Sequence, residues 1–201
     1  KANKICLDLG MSSVQLDSQS RGFSFQYDAP LDMRMNTSQD ITAKDILFTY
    51  SEQALSDMFF YYGQLNQNKI LVRHIINARK ERLDTVFDLV SIIKRSYFFR
   101  NQRKKYIKTV SQVFQALRIE VNQELNQLKT ALDHIPSLLA SDGRIAIISF
   151  HSLEDNTVKR FFKSHKELFK PVNKKVIKAT QEEIANNSRS HCALLRVYQR
   201  L

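Results

Sequence analysis

The sequence predicts an α/β fold in which a parallel or mixed sheet is interrupted by a helical insertion, and three observations carry that prediction. Residues 144–160, RIAIISFHSLEDNTVKR, set Ile145, Ala146, Ile147 and Ile148 in an unbroken apolar row, the pattern of a strand covered on both faces. The row stops at Ser149, His151, Ser152, Glu154 and Asp155, and Val158, Phe161 and Phe162 then follow at helical spacing. Lys4 to Leu7 open the chain in the same manner and lead to Asp8, Gly10, Ser12, Ser13 and Gln15. Between the two strands, Thr42 to Ile135 holds helical periodicity and no strand signal. Strands 4–8 and 145–150 are therefore expected as parallel neighbours whose polar tips outline one cleft, because open α/β sheets bind ligands beyond the carboxyl ends of their strands.

Taken in order, residues 17–40 contain Gly22, Pro30 and few periodic apolar positions, which predicts a long ordered loop of the kind that carries function in compact domains. Its core, RGFSFQYDAPLDMRM at 21–35, mixes Arg21, Asp28, Asp32 and Arg34 with Phe23, Phe25 and Met33, and suits a wall anchored by its apolar side chains. Thr42 and Ser51 are placed as helix N-caps and Gly63 as a stop after Tyr62. Ile70, Ile75 and Ile76, then Val86, Leu89, Val90 and Ile93, recur at helical spacing. A longer helix is expected from about Ser111, with a stripe of Phe114, Leu117, Val121, Leu125, Leu128 and Leu132 up to a break or kink at Pro136. Gln115, Arg118 and Asn122 interrupt that stripe with polar groups that need partners. After the second strand and its helix come an extended segment beyond Lys170, a helical turn at 181–185 and a last strand at 193–198, the late strands reading as an antiparallel hairpin at the sheet edge. The domain reading is a core at 1–41, a helical insertion at 42–135 and a return to the core at 136–201.

With 43% hydrophobic residues, 201 residues can bury a sizeable core. Eighteen consecutive apolar residues occur nowhere and the first residues lack an apolar h-region, so neither a membrane span nor a signal peptide is expected among them. Cys6 and Cys192 are too few and too scattered for a disulfide scaffold or a metal site, and are expected as buried thiols in a reducing compartment. Lys and Arg outnumber Asp and Glu 31 to 20, a net charge of +11 that attracts polyanions, nucleic acid first. The excess gathers in two blocks. Arg95, Arg100, Arg103, Lys104, Lys105 and Lys108 surround Tyr97, Phe98 and Phe99, while Lys159, Arg160, Lys163, Lys166, Lys170, Lys174, Lys175 and Lys178 form the other. Basic residues among aromatics can hold phosphates and stack bases, and the plain alternative is a solvated face with its aromatics turned into the core.

No GxGxxG or P-loop can be built from Gly10, Gly22, Gly63 and Gly143. His151 with Asp155 has no second His or Cys at ligand spacing, so no metal site is expected. Ser149 or Ser152 beside His151 lacks a nucleophile elbow, which argues against a hydrolase.

Five segments carry a resemblance. DLGMSSVQLD at 8–17, RGFSFQYDAPLDMRM at 21–35, FQALRIEVNQEL at 114–125, GRIAIISFHSLED at 143–155 with VKRFF at 158–162, and NNSRSHCALLRV at 186–197 are similar to successive motifs of the ribosomal small-subunit methyltransferase H family, also called MraW. The resemblance implies a class I (Rossmann-like) methyltransferase sheet, its C-terminal half, with an inserted helical subdomain. It also implies an activity: transfer of a methyl group from S-adenosylmethionine to the exocyclic N4 of a cytidine in the decoding region of small-subunit rRNA. The family's cofactor contacts fall on Asp8 and Gln15, with Val14 where the family usually has Pro, and its glycine-rich first motif and ribose-binding acid would lie upstream of Lys1. Two departures touch substrate contacts: KTVSQV stands at 108–113 where the family tends to HPATRT, and 186–197 departs from NPRARSAKLRV.

Within that reading, Asp8, Ser149 and His151 are the expected catalytic groups, since a weakly nucleophilic amino group needs alignment and acceptors for its N–H groups. Arg103, Lys104, Lys105, Gln115 and Arg118 are the expected substrate contacts, on an insertion acting as a substrate-recognition cap. The implied partner is small-subunit rRNA or the assembled small subunit, with no membrane and with a homodimer left open; the implied place is bacterial cytoplasm, or an organelle matrix in a eukaryote. The competing reading is a catalytically inactive relative that binds rRNA or assists ribosome assembly.

Overall fold

The computed structural model describes all of residues 1–201. In chain order the elements are β1 (Ala2–Asp8), α1 (Ser13–Asp17), α2 (Ala43–Thr49), α3 (Glu52–Tyr61), α4 (Lys69–Ala78), α5 (Val86–Ser96), α6 (Arg103–Asn122), α7 (Glu124–Leu138), β2 (Leu139–Ser149), α8 (Ser152–Ser164), β3 (Phe169–Pro171), β4 (Ile177–Lys178), α9 (Gln181–Asn186) and β5 (Leu194–Arg200). A 3-10 turn at Ser188–Cys192 precedes β5. The chain divides into two compact units, Lys1–Gly10 with Leu125–Leu201, and Met11–Glu124. It is an α/β protein, and the whole of its mixed five-stranded sheet lies in the first unit.

The strand order is β1-β2-β5-β3, with β4 also paired to β5. β1 and β2 run parallel with Asp8 opposite Ile148, as the two apolar segments predict. β2 and β5 are antiparallel with Ser149 opposite Leu194. The late strands do pair antiparallel at this edge of the sheet, β5 lying inside against β2 and the short β3 and β4 pairing with it beyond.

Side chains alternate between the faces of a sheet, so the register sorts them. Ile5, Leu7, Ile145, Ile147 and Tyr198 lie on one face and pack with Leu128, Leu132 and Ile135 of α7 and Val158 and Phe162 of α8. The Tyr198 ring stacks on Phe162 at 3.8 Å. The other face carries Cys6, Asp8, Ala146, Ile148, Leu195 and Val197, none of them buried. The apolar run at 145–148 is thus covered on one face and not on both as expected, and β1 forms the sheet edge. Cys6 and Cys192 are exposed rather than buried, Cys6 because it points to the open face of that edge strand. An apolar run states what a strand tolerates around it, not what covers it.

In the second unit α2 to α6 gather around a core that includes Leu47, Leu55, Phe59, Ile75, Leu89 and Leu117. Thr42, Ser51 and Thr85 cap their helices by accepting a backbone N–H from three residues on. Gly63 does follow α3, but for want of room: a Cβ there would come 2.8 Å from the Phe59 carbonyl oxygen and 2.9 Å from that of Gln112. The single long helix expected from Ser111 is two helices. α6 begins earlier, at Arg103, and stops where Gln123 turns left-handed at φ 51°. Pro136 sits in the last turn of α7 without ending it, since only one helical hydrogen bond is forgone there.

The loop at 21–35 belongs with these helices, burying Phe23, Ala29, Leu31 and Met33 in their core. Asn122 ties it down, donating to the Met33 carbonyl at 2.8 Å and accepting the Met35 N–H at 2.6 Å. The compact units consequently meet the chain at 10/11 and 124/125, where the sequence placed boundaries at 41/42 and 135/136. Apolar side chains on a loop lack the periodicity that would say which core they enter.

Carboxylates of this unit, Asp32 and Asp45 among them, link its stability to pH. The Arg34 fork, at 2.8 and 2.9 Å, holds Asp32 below the usual carboxylate range, and the Thr42 hydroxyl does the same for Asp45. A folded pKa below the unfolded one gives stabilisation that is present above the unfolded value and lost as pH falls through the folded one. Thermal melts followed by circular dichroism should therefore hold their midpoint from neutral pH to about pH 4 and drop below it. Asp32→Asn should make that acid drop smaller; an unchanged drop would remove this ion pair from the linkage.

Candidate functional site

β2 turns into α8 within two residues, with His151 as the helix N-cap. The buried Glu154 carboxylate closes the turn by accepting the N–H groups of Phe150 at 2.8 Å and His151 at 3.3 Å. In return His151 Nδ1 accepts the Glu154 N–H at 3.4 Å, a capping box with an imidazole where Ser or Thr is usual. Acceptance at Nδ1 puts the ring proton of a neutral histidine on Nε2. Nε2 lies 3.3 Å from Glu154 Oε1 but off the line of a hydrogen bond, and so is buried without a hydrogen-bond partner.

The next residue, Asp155, takes Arg196 of β5 in a two-pronged ion pair at 2.6 and 3.1 Å. Donating to the Asp155 carboxylate pushes the guanidinium above its ordinary range. Asp155 is spent on this pair, so the His151–Asp155 spacing offers no uncommitted carboxylate.

Asp8 ends β1 on the open face of the sheet, exposed, with its carboxylate engaged by no cation or backbone N–H. The ladder continues one residue further, Leu9 N–H to the Ile148 carbonyl at 3.0 Å, and Gly10 then leaves it at φ +88°, a conformation that costs glycine little. Ser149 is buried and its hydroxyl donates to the Leu194 carbonyl at 3.4 Å. Asp8 and Ser149 therefore share an end of the sheet but not a face, because Asp8 pairs with Ile148 and Ser149 is one residue out of phase.

In the second unit, Gln15 belongs to a capping box on α1. Its Oε1 accepts the Ser12 N–H at 3.0 Å and its own N–H goes to Ser12 Oγ at 3.2 Å, which leaves its NH₂ group outside the box. Arg103, Lys104 and Lys105 are exposed on the first turn of α6. Gln115 and Arg118 face inward. Gln115 donates to the Tyr62 carbonyl at 2.9 Å, and the Arg118 fork grips Glu124 at 2.7 and 3.0 Å. The polar interruptions of the α6 stripe are thus partnered within the helical unit.

Glu154 and Arg196 hold the strand tip together; Glu154 was read as one of the polar groups at that tip but given no role, and Arg196 was not singled out. The His-x-x-Glu spacing at 151–154 could have flagged Glu154. Arg196 is forty-one positions from Asp155 and leaves no local signal.

A family model described as "MraW methylase family" matches residues 1–201. The ribosomal RNA small subunit methyltransferase H of Acaryochloris marina is 46% identical over 197 residues, covering 98% of this chain and 65% of its own length. That of Spiroplasma kunkelii is 44% identical over 218 residues, covering 99% and 69%, and that of Streptococcus mutans 43% over 214, covering 98% and 67%. This chain spans about two thirds of the length of these relatives.

Proposed function

Because this chain belongs to the MraW methylase family, we propose that it works in a class I, S-adenosylmethionine-dependent methyltransferase that methylates the exocyclic N4 of a cytidine in the decoding region of small-subunit rRNA. The observation that carries the reading is the unbroken family match over residues 1–201. The net charge of +11 is in keeping with an RNA or small-subunit partner. No helix is long and apolar enough to cross a membrane.

The unengaged carboxylate of Asp8 fits such a cofactor, because it has acceptor capacity for N–H or O–H groups that nothing in the chain fills. The NH₂ of Gln15 adds a donor. When bound, S-adenosylmethionine supplies an electrophilic methyl group on a sulfonium. Cytosine N4 is a weak nucleophile, its lone pair being delocalised into the ring, so the part left to the chain is alignment and hydrogen bonding. Asp8 accepts from the target amine. The Nε2–H of His151, otherwise without a hydrogen-bond partner, donates to an acceptor on the base. Ser149 and Glu154 are positioning residues that fix the strand end carrying His151. The target cytidine leaves its stack to be reached. The helical unit serves as the substrate-recognition cap: Arg103, Lys104 and Lys105 take phosphates, while Gln115 and Arg118 brace the helix that presents them.

Calorimetric titration of S-adenosylmethionine into the complete gene product tests the cofactor assignment. Asp8→Ala and Gln15→Ala should each weaken binding by about tenfold with the circular dichroism spectrum intact. Unchanged affinity in both variants would remove them from the cofactor site. His151→Asn, tested on small subunits, should slow methyl transfer while leaving RNA affinity in place.

A further inference from the structure

Between α5 and α6 the chain turns through SYFFRNQRKK at 96–105. From Leu89 to Ile119 there is no acidic residue, and Lys94, Arg95, Arg100, Arg103, Lys104, Lys105, Lys108 and Arg118 fall in that span. Four aromatics lie in or beside the turn, and the fold separates them. Tyr97, Phe99 and Tyr106 pack against the core of the helical unit and against one another, with ring centroids 6.0 Å apart for Tyr97 and Phe99 and 5.3 Å for Phe99 and Tyr106. The Lys94 ammonium sits 5.5 Å over the Tyr106 ring. Phe98 faces the other way, 79% exposed.

The turn that presents Phe98 is held, not loose. Arg100 and Asn101 take positive φ, 20° and 56°, a left-handed turn that asparagine tolerates and arginine adopts uncommonly. The Gln102 N–H closes the turn on the Phe99 carbonyl at 2.6 Å. Two aromatic anchors on either side of Phe98 therefore fix it outward, on a surface where Arg95, Arg100, Arg103, Lys104 and Lys105 are all exposed.

We propose that Phe98 is a stacking platform for an unpaired base of single-stranded RNA, with the surrounding cations holding the flanking phosphates. The proposal rests on the RNA reading above and specifies the strand it takes. A flat, exposed apolar ring flanked in sequence by exposed cations complements a base whose faces are apolar and whose neighbours are phosphates. An apolar protein surface would instead meet unpaired charges. An RNA duplex offers no base face, since its bases are stacked and its major groove is too narrow for side chains.

The test uses the complete gene product and a labelled, unstructured single-stranded oligoribonucleotide, with a duplex of the same composition as control, at two salt concentrations. Phe98→Ala should lose about tenfold or more in single-strand affinity, leave duplex affinity in place and keep the parental salt slope, because no phosphate contact is removed. Phe98→Trp should retain the affinity. Residues 1–201 contain no tryptophan, so the fluorescence that Phe98→Trp adds over the parent reports the position and should be quenched on binding the single strand. Parental single-strand affinity in Phe98→Ala, an equal loss on duplex, or an unquenched tryptophan would each overturn the stacking role while leaving RNA binding intact. A parent protein that binds neither RNA would overturn the RNA reading and this proposal together.

Discussion

Asp155→Ala should lower the unfolding free energy by about 2–3 kcal/mol, and Arg196→Met by less. Exposed ion pairs contribute under about 1 kcal/mol, whereas removing one partner of a buried pair costs about 3–5. The Asp155 and Arg196 side chains are 11% and 19% exposed and meet through two hydrogen bonds, which puts this pair near the buried end of that range. The two variants differ because of what each leaves behind. A lone Asp155 still lies in the first turn of α8, where helix N–H groups favour a carboxylate. A lone Arg196 keeps only the Tyr198 hydroxyl, an uncharged partner, and cannot shed its proton. Urea unfolding of both single variants and the double variant gives the coupling. Additive losses would mean that the pair does not hold α8 to β5, and that His151 at the start of α8 is positioned by the capping box alone.

Replacing Arg103, Lys104 and Lys105 together by Gln should cost on the order of 10²-fold in RNA affinity at physiological salt and make the salt dependence shallower by about 2 in slope. The three are exposed at the N-terminal turn of α6, where the helix's own field disfavours cations. Their removal should therefore leave the melting temperature level or slightly raised, so lost affinity would not reflect lost folding. Binding of a small-subunit rRNA fragment by parent and variant, measured at two salt concentrations, decides it. A variant with the parental affinity and slope would reduce the first basic block to a solvated face.

Much of this molecule follows from local pattern. The parallel pairing of the first two core strands was legible because apolar runs end at polar tips in both, and the caps at Thr42 and Ser51 because hydroxyl residues there precede helical periodicity. The family motifs were legible because their residues are contiguous. The basic block at 95–108 was legible as charge among aromatics, but not as three rings turned in and Phe98 turned out. Which unit the 21–35 loop joins, which face of the sheet is covered, and where β5 inserts depend on contacts between residues far apart in the chain. The same holds for the bond from Asn122 to Met33 and the pairing of Arg196 with Asp155. A side chain's type sets what it can bond to or be buried against, and periodicity sets its direction within one element; only packing supplies the partner.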